Sequence, residues 1–261
     1  MFSQHILYKN TAIYYTDKGK GSSLIFLHGF LENKTMWEDY QKELSTKYRV
    51  ISIDLLGHGQ TGCLGYIHTM EDMADAVYAV LTALKLRKVT LIGHSMGGYV
   101  ALAFSELYPD FVRKNILIAA SSRADSLEKK ENRDRAIDVI KKNKTAFIKI
   151  AVRSLFNQGA QDHFPQEIEH CIEEALKMST QGTIAALEGM KIRIDREILL
   201  HLAPYPTHFI IGTQDRIATS ESILEQTQAT TCKVLTLQSG HMLHIEAKKE
   251  LLQALISLLK S

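Results

Sequence analysis

Hydrophobic and polar positions follow two repeating patterns along this chain, short apolar runs and longer amphipathic segments. Short runs rich in β-branched residues are typical of buried strands. The first two runs, joined at Lys9 and Asn10, predict a hairpin. Together the runs predict eight strands, at residues 3–8, 11–16, 24–27, 50–53, 89–92, 116–120, 208–211 and 234–237.

Amphipathic segments separate most of these strands. Apolar residues from Met73 to Leu84 recur at helical spacing, and Thr69 stands where an N-cap is expected. Strands that alternate with helices form a mostly parallel sheet covered on both faces. The pattern therefore predicts an α/β fold with an eight-stranded sheet and flanking helices at 34–46, 69–86, 99–108, 218–228 and 246–260.

The alternation stops between residues 121 and 206. That segment contains amphipathic helical patterns and no convincing strand. A helical block between two strands of one sheet indicates an insertion, so we predict a core formed by residues 1–121 and 206–261 and an all-helical cap at 122–205. Its candidate helices are 124–142, 144–156, 165–179, 182–191 and 195–202.

Composition narrows the class of protein. Charged residues make up 23% of the 261 positions and hydrophobic ones 45%, as in globular proteins. A net charge of +2 is too small to indicate nucleic-acid or membrane-surface binding. No run approaches the roughly 20 apolar residues that span a bilayer. Three scattered cysteines and the lack of a signal-peptide pattern favour a cytoplasmic location. No pattern specifies an oligomeric state.

Residues 93–97 carry the pattern Gly-x-Ser-x-Gly, centred on Ser95. A predicted strand precedes the pattern, and a predicted helix follows it and ends before Pro109. This placement predicts a sharp strand-to-helix turn that presents a nucleophilic serine. Gly93 and Gly97 lack a Cβ, which lets neighbouring backbone approach the turn closely.

A nucleophilic serine needs a base within hydrogen-bond reach, and the base needs a carboxylate that orients it. Such groups gather beyond the carboxyl ends of parallel strands. Asp215 follows the 208–211 strand, and His241 follows the 234–237 strand. Asp125 is the alternative acid and His244 the alternative base.

In these residues the chain resembles the α/β-hydrolases, from about residue 22 to the C-terminus. The resemblance implies that the helical block is the family's cap. It also implies that the backbone N–H groups of Phe30 and Met96 form an oxyanion hole. From their positions we expect His28 to support the loop after the 24–27 strand, and we expect His94, whose side chain should point away from the Ser95 hydroxyl, to be structural. Five motifs carry the resemblance in the family's order: His28-Gly29, Asp54-x-x-Gly57-x-Gly59-x-Thr61, the Ser95 turn, Gly212-x-x-Asp215 and Gly240-His241-x-x-x-x-Glu246.

The substrate pocket is expected to be mostly apolar. The candidates from the sheet side are Phe30, Leu31, Trp37 and Met96, and those from the cap are Phe147, Leu155 and Phe156, although each also suits a core. Residues 123–153 carry ten Lys or Arg against five Asp or Glu. Such charges usually solvate helix faces, but they also suit an anionic substrate such as a carboxylate or an acyl-CoA.

Two patterns suggest cofactors and fail on inspection. Residues 57–62 fit Gly-x-Gly-x-x-Gly, but a dinucleotide fingerprint opens directly into a helix. Here the next predicted helix starts near Thr69. The eleven histidines form no dense ligand cluster, so we predict neither a metal nor a cofactor.

We therefore predict a serine hydrolase acting on a carboxylic ester or a related small-molecule acyl substrate. The same triad also suits lyases, including the menaquinone-pathway member of the family, and carbon–carbon bond hydrolases of dienone acids. The menaquinone-pathway member typically has an arginine where this chain has Tyr99. A ligand receptor that kept the triad is the non-enzyme alternative.

Overall fold

The structure, a computed structural model, describes residues 3–260. Eight strands form one sheet within these residues. Their bounds are β1 (Gln4–Tyr8), β2 (Thr11–Lys18), β3 (Ser23–Leu27), β4 (Arg49–Ile53), β5 (Val89–His94), β6 (Val112–Ile118), β7 (Thr207–Gly212) and β8 (Val234–Leu237).

The sheet is mostly parallel, as predicted. Its strand order is β1-β2-β4-β3-β5-β6-β7-β8. β2 runs antiparallel to both β1 and β4, and the other neighbouring strands are parallel. The carboxyl ends of β5, β7 and β8 therefore lie at one edge of the sheet, where the segments containing Ser95, Asp215 and His241 begin.

Hydrophobic cores cover both faces of the sheet. Along β3, Leu24 and Phe26 face one core, whereas Ile25 and Leu27 face the other. Successive side chains of a strand point to opposite faces, so a strand buried on both sides must be apolar throughout. This is why the central strands appear in the sequence as continuous apolar runs.

Residues 3–260 also form eleven α-helices. None of these helices is long and apolar enough to cross a bilayer. A 3₁₀ turn at Lys34–Trp37 precedes the first. The helices are α1 (Glu38–Leu44), α2 (Met70–Ala83), α3 (Met96–Leu107), α4 (Leu127–Leu155), α5 (Ala160–His163), α6 (Pro165–Leu176), α7 (Thr180–Lys191), α8 (Ile198–Leu202), α9 (Ser220–Gln226), α10 (Leu243–Glu246) and α11 (Lys248–Lys260).

Most of the predicted helices and strands are present in the structure. The differences between prediction and structure are in the residues at which these elements begin or end. Thr69 caps α2 as predicted, and Asp72 bonds back to it in a capping box. The helix predicted from residue 99 begins at Met96, because Gly97 and Gly98 lie within the first turn of α3. The strand predicted at 116–120 begins at Val112, because β6 also includes the polar residues 113–115.

Every element that the structure describes between β6 and β7 is helical. The helices predicted at 124–142 and 144–156 form one element, α4, which kinks where Asn143 leaves the helical conformation (φ −155°, ψ 83°). Apolar residues of α4 and α6, including Ile148, Val152 and Ile168, form a third hydrophobic cluster. Leu31 and Met242 belong to this cluster too, so it anchors the helical segment beside the Ser95 edge of the sheet.

The motif that begins at Asp54 stabilises a turn. The buried Asp54 carboxylate accepts hydrogen bonds from the backbone N–H groups of Lys34 (2.8 Å) and Gln60 (3.0 Å), and it pairs with the Lys34 ammonium (2.6 Å). Gly59 has a left-handed φ of 54°, and a Cβ there would lie 2.4 Å from the same carboxylate. The spacing of this motif thus has a structural cause.

Candidate active site

Ser95 lies on the strained turn between β5 and α3. Its φ is 49°, in the left-handed region that residues with a Cβ seldom adopt. Its backbone N–H donates to the Ile118 carbonyl at 2.8 Å, which ties the turn to β6. A Cβ on Gly93 would lie 2.3 Å from the Gly97 carbonyl oxygen, and one on Gly97 would lie 2.3 Å from the Leu27 carbonyl oxygen. Both glycines of the pattern are therefore required by close backbone contacts.

The structure brings Ser95, His241 and Asp215 into one hydrogen-bonded chain. His241 Nε2 lies 2.9 Å from Ser95 Oγ, and His241 Nδ1 lies 2.8 Å from Asp215 Oδ2. Because a carboxylate can only accept, Nδ1 carries the proton and Nε2 is left to accept the serine hydroxyl proton. The three side chains come from three different strand ends and have the geometry of a nucleophile, a base and an orienting acid.

Local contacts keep Asp215 ionised. Burial opposes its ionisation, but the electrostatic contact and hydrogen bond with His241, together with two backbone N–H donors, hold the pKa of Asp215 below its usual value. Those donors belong to Ile217 (2.7 Å) and Ala218 (3.1 Å) and reach Oδ1. The oxygen that faces His241 is therefore free of backbone donors and available to the imidazole.

The alternative acid and base have other partners. Asp125 forms ion pairs with the guanidinium groups of Arg133 and Arg193, not with a histidine. His244 Nε2 lies 3.6 Å from Glu32 Oε1, and burial lowers the pKa of His244 to about 4. His244 is therefore neutral at pH 7.

A buried ion pair lies directly behind His241. His94 Nδ1 is 2.8 Å from Glu32 Oε2, and His94 Nε2 is 2.9 Å from the His241 carbonyl oxygen. Both nitrogens face acceptors, so both carry protons. Burial opposes this charge, but Glu32 raises the pKa of His94. Reciprocally, His94 outweighs burial and lowers the pKa of Glu32 to about 2.

Glu246 holds the loop that carries His241. Its carboxylate accepts the backbone N–H groups of Gly240 (3.0 Å) and Met242 (3.2 Å), which flank His241 on both sides. The same carboxylate accepts the N–H of Asn157 at 3.2 Å, and the His241 N–H donates to the Leu155 carbonyl at 3.1 Å. The end of α4 is thereby hydrogen-bonded to the His241 loop. The sequence pattern includes Glu246 in a motif without indicating its role, and no local pattern indicates a role for Glu32.

The predicted oxyanion donors belong to two separate segments near Ser95. Met96 is the first residue of α3, where backbone N–H groups have no partner within the helix. Phe30 lies on the loop after β3, next to Leu31, whose φ is 65°. His28 supports that loop, because its Nε2 accepts the Leu55 N–H (2.9 Å) and its Nδ1 contacts the Gly29 carbonyl (2.8 Å). The oxyanion role itself stays a prediction.

A cavity of about 160 Å³ opens onto Ser95 and His241. Phe30, Leu31 and Tyr99 line it from the sheet side, and Arg133, Ser154, Leu155 and Met190 line it from the helical segment. A larger groove of about 480 Å³ lies near Glu32 and His244 but does not include Ser95. The smaller cavity is therefore the one that adjoins the candidate chemistry.

Three of the predicted pocket residues line this cavity, namely Phe30, Leu31 and Leu155, whereas Met96 is buried and does not. Trp37 is fully buried in a core beneath the sheet, where its ring packs 5.0 Å from that of Phe26. Phe147 is half-buried and Phe156 is buried, and both pack in the cluster formed by α4 and α6. These three aromatic residues stabilise cores, because large apolar side chains bury more area there than in a small cavity.

Among residues 3–260, Glu32, His94 and His244 place three potential metal ligands within 4.8 Å of one another. Protonated His94 offers no lone pair to a metal, so we interpret the group as an ion pair with a neutral histidine beside it. Residues 57–62 do not have the structure of a dinucleotide-binding turn. The Gly57 N–H is bonded to the Gly62 carbonyl (3.0 Å), and α2 does not begin until Met70.

Comparisons with known proteins find α/β-hydrolases and esterases. A sequence model of the alpha/beta hydrolase fold family matches residues 23–147. The chain is 29% identical over 256 residues to the AB hydrolase superfamily protein YisY of Bacillus subtilis, and the match covers 93% of each chain. It is 29% identical over 202 residues to a pimeloyl-[acyl-carrier protein] methyl ester esterase of Aliivibrio salmonicida, covering 77% of this chain and 68% of the relative.

A match to an uncharacterized protein of Mycobacterium tuberculosis is shorter. Identity is 34% over 102 residues, which span 39% of this chain and only 30% of the relative.

Among solved structures, a thermophilic esterase from Thermogutta terrifontis with malate bound superposes with a TM-score of 0.92. The match to this esterase has 29% identity and covers 100% of this chain and 98% of the esterase.

The chain has the α/β-hydrolase fold, and these matches support its place in the α/β-hydrolase superfamily. Its esterase-like relatives support a hydrolase as the class of enzyme.

Proposed function

We propose that this protein is a serine hydrolase that cleaves a carboxylic ester or a related acyl substrate. Ser95 Oγ attacks the acyl carbonyl while His241 Nε2 takes the hydroxyl proton. The proton then passes to the leaving alcohol, and an acyl-enzyme forms on Ser95. Water activated by His241 releases the acid and restores the serine. No cofactor takes part.

The hydrogen-bonded chain from Ser95 through His241 to Asp215 carries this proposal. Its two links of 2.9 and 2.8 Å are already at the reach that general-base catalysis requires. An ionised Asp215 stabilises the imidazolium that forms when His241 takes the proton. The backbone N–H groups of Phe30 and Met96 are the proposed donors to the tetrahedral oxyanion.

We further propose that residues 122–205 act as the cap of this enzyme and form the wall of the substrate site opposite the sheet. Arg133, Leu155 and Met190 from this segment line the same cavity as Ser95. The bond between the His241 N–H and the Leu155 carbonyl links the cap to the proposed base. Substrate choice is then a property of the cap.

Replacement of Ser95 tests the proposal. We expect Ser95→Ala to reduce turnover of short p-nitrophenyl esters on the order of 10⁶-fold, by analogy with serine protease triads. The thermal unfolding midpoint should stay near that of the wild type, since the change removes only a hydroxyl. A folded Ser95→Ala protein with near-wild-type turnover would refute the proposal.

A further inference from the structure

Three charged side chains form a cluster beside the Ser95 cavity. The Asp125 carboxylate, 1% exposed, pairs with two guanidinium groups. Arg133 Nε donates to Asp125 Oδ2, and Arg193 Nη1 lies 2.5 Å from Asp125 Oδ1. Burial opposes ionisation of Asp125, but the two arginines outweigh it and lower its pKa. One negative charge therefore faces two positive charges.

Arg193 makes its interactions inside the protein. Its side chain is 3% exposed, and its guanidinium stacks 4.0 Å above the Tyr99 ring. Its Nη1 also donates to the Met190 carbonyl oxygen (3.2 Å), and its Nη2 donates to that of Arg123 (3.0 Å). Arg193 thus pairs with Asp125 inside the protein and packs against Tyr99, a residue that lines the cavity.

Arg133 is placed differently. Its side chain is 18% exposed and lines the cavity with Ser95 and His241. Its Nη1 faces the Met190 sulfur at 3.5 Å, and a thioether is a weak acceptor. The guanidinium therefore keeps donor capacity for a better acceptor in the cavity. Arg133 also contacts Asp125 Oδ1 through Nη2 at 3.4 Å, so both arginines share one carboxylate and the cluster has one positive charge in excess. Arg133 is the member of the cluster that lines the cavity.

The other charges at the cavity do not cancel this excess. Glu32 is the one carboxylate among the described residues that line it, and Glu32 is paired with protonated His94. The wall also contains apolar side chains such as Phe30, Leu155 and Met190, which weaken competition from water for a charged group. A guanidinium in such a wall favours a substrate that has an anionic group.

We propose that Arg133 is a specificity-determining residue that binds a carboxylate on the acyl part of the substrate, so that the preferred substrates are monoesters of short dicarboxylic acids. This inference rests on the proposed function of Ser95. The cavity volume supports a short acyl chain, because about 160 Å³ is well below the roughly 300–1,000 Å³ of pockets that bury drug-sized ligands.

A pair of isosteric esters tests the role of Arg133. Monomethyl glutarate carries the carboxylate, and its amide analogue, methyl glutaramate, has the same shape without the charge. We expect the wild type to show the higher kcat/KM for monomethyl glutarate. In Arg133→Gln the ratio of the two kcat/KM values should fall roughly 10- to 100-fold, the range for losing a hydrogen bond to a charged group. Arg133→Lys should recover part of that ratio.

Arg135→Gln is the matched control, because the substitution removes the same charge from the same helix. Arg135 is exposed. We expect this variant to keep the wild-type ratio. Equal ratios in the wild type and Arg133→Gln, or an equal fall in Arg135→Gln, would overturn the inference. An enzyme that still hydrolyses methyl glutaramate through Ser95 could give either result, so either result would leave the proposed function of Ser95 intact. Failure of the proposed function would instead appear as hydrolysis of neither ester and no reaction of Ser95 with a fluorophosphonate.

Discussion

At the scale of single residues, the site depends on which charges face each other behind the proposed nucleophile and base. The order Ser95, Asp215, His241 could be predicted from the sequence, because each residue follows a recognisable strand and motif. Glu32 and Arg133 could not, because their partners are distant in the chain. Glu32 meets His94 across 62 positions, and Arg133 meets Met190 across 57. No periodicity encodes such contacts.

The Glu32–His94 pair predicts a defined pH dependence of stability. The pKa of Glu32 falls from 4.5 to about 2, so its contribution is fully present above about 4.5 and is lost as the pH falls toward 2. The pKa of His94 is raised above 6.5, so its contribution is fully present below about 6.5 and is lost as the pH rises through the folded-state value. The pair therefore stabilises most between about pH 4.5 and 6.5.

Glu32→Gln should lower the free energy of unfolding by roughly 3 kcal/mol in that window, because it leaves a buried imidazolium without its counter-charge. The difference from the wild type should shrink toward pH 3 and toward alkaline pH. Urea unfolding at pH 3.5, 5.5 and 9 measures this. The control is Glu43→Gln, which changes an exposed carboxylate on α1. A Glu32→Gln deficit that is constant across the three pH values would exclude the ion pair as its cause.

At the scale of elements, close backbone contacts set the Ser95 turn. Gly97→Ala should lower the free energy of unfolding by at least about 3 kcal/mol, because the new methyl group would meet rigid backbone of Leu27 and His28. Gly65→Ala is the comparison. A Cβ there would contact nothing within 4 Å, so its effect should lie between zero and about 1 kcal/mol of stabilisation. Urea unfolding at neutral pH measures both, and similar values for the two variants would contradict this description of the turn.

The His241 loop offers a second prediction at this scale. Glu246→Gln weakens the bonds to the N–H groups of Gly240 and Met242, which should loosen His241 against Ser95. Misplacing a reacting group by about 1 Å costs about 100-fold, so we expect kcat for a p-nitrophenyl ester to fall roughly tenfold, with a smaller change in KM. Glu250→Gln, an exposed carboxylate on α11, should leave both constants unchanged. Equal losses in the two variants would rule out a positioning role for Glu246.

The ends of elements were predicted less well than their existence, for physical reasons. α3 begins at Met96 because its glycines are held by packing against β3 and β6, which outweighs their low helix propensity. β6 extends back to Val112 because pairing with β5 satisfies the backbone of its polar residues. Tertiary contacts decide both boundaries, and neither appears in a local pattern.

At the scale of the whole molecule, the architecture follows from the hydrophobic pattern. Continuous apolar runs separated by amphipathic helices are consistent with one arrangement, a parallel sheet with a core on each face, and the structure has that arrangement. The helical segment could be predicted as an insertion, but its inner surface could not. Its aromatic residues Phe147 and Phe156 pack within it, and its contribution to the cavity includes a guanidinium instead.

The central claim is that the fold brings one hydroxyl, that of Ser95, to a base that activates it. Reaction with a fluorophosphonate probe, followed by mass spectrometry of the peptides, tests this most directly. We predict a single adduct on Ser95, none on Ser154 in the same cavity wall, and at least a tenfold slower reaction in His241→Gln, in line with the roughly 100- to 10,000-fold contribution of a general base. No adduct on Ser95 in the folded wild-type protein, or an undiminished rate in His241→Gln, would contradict the account.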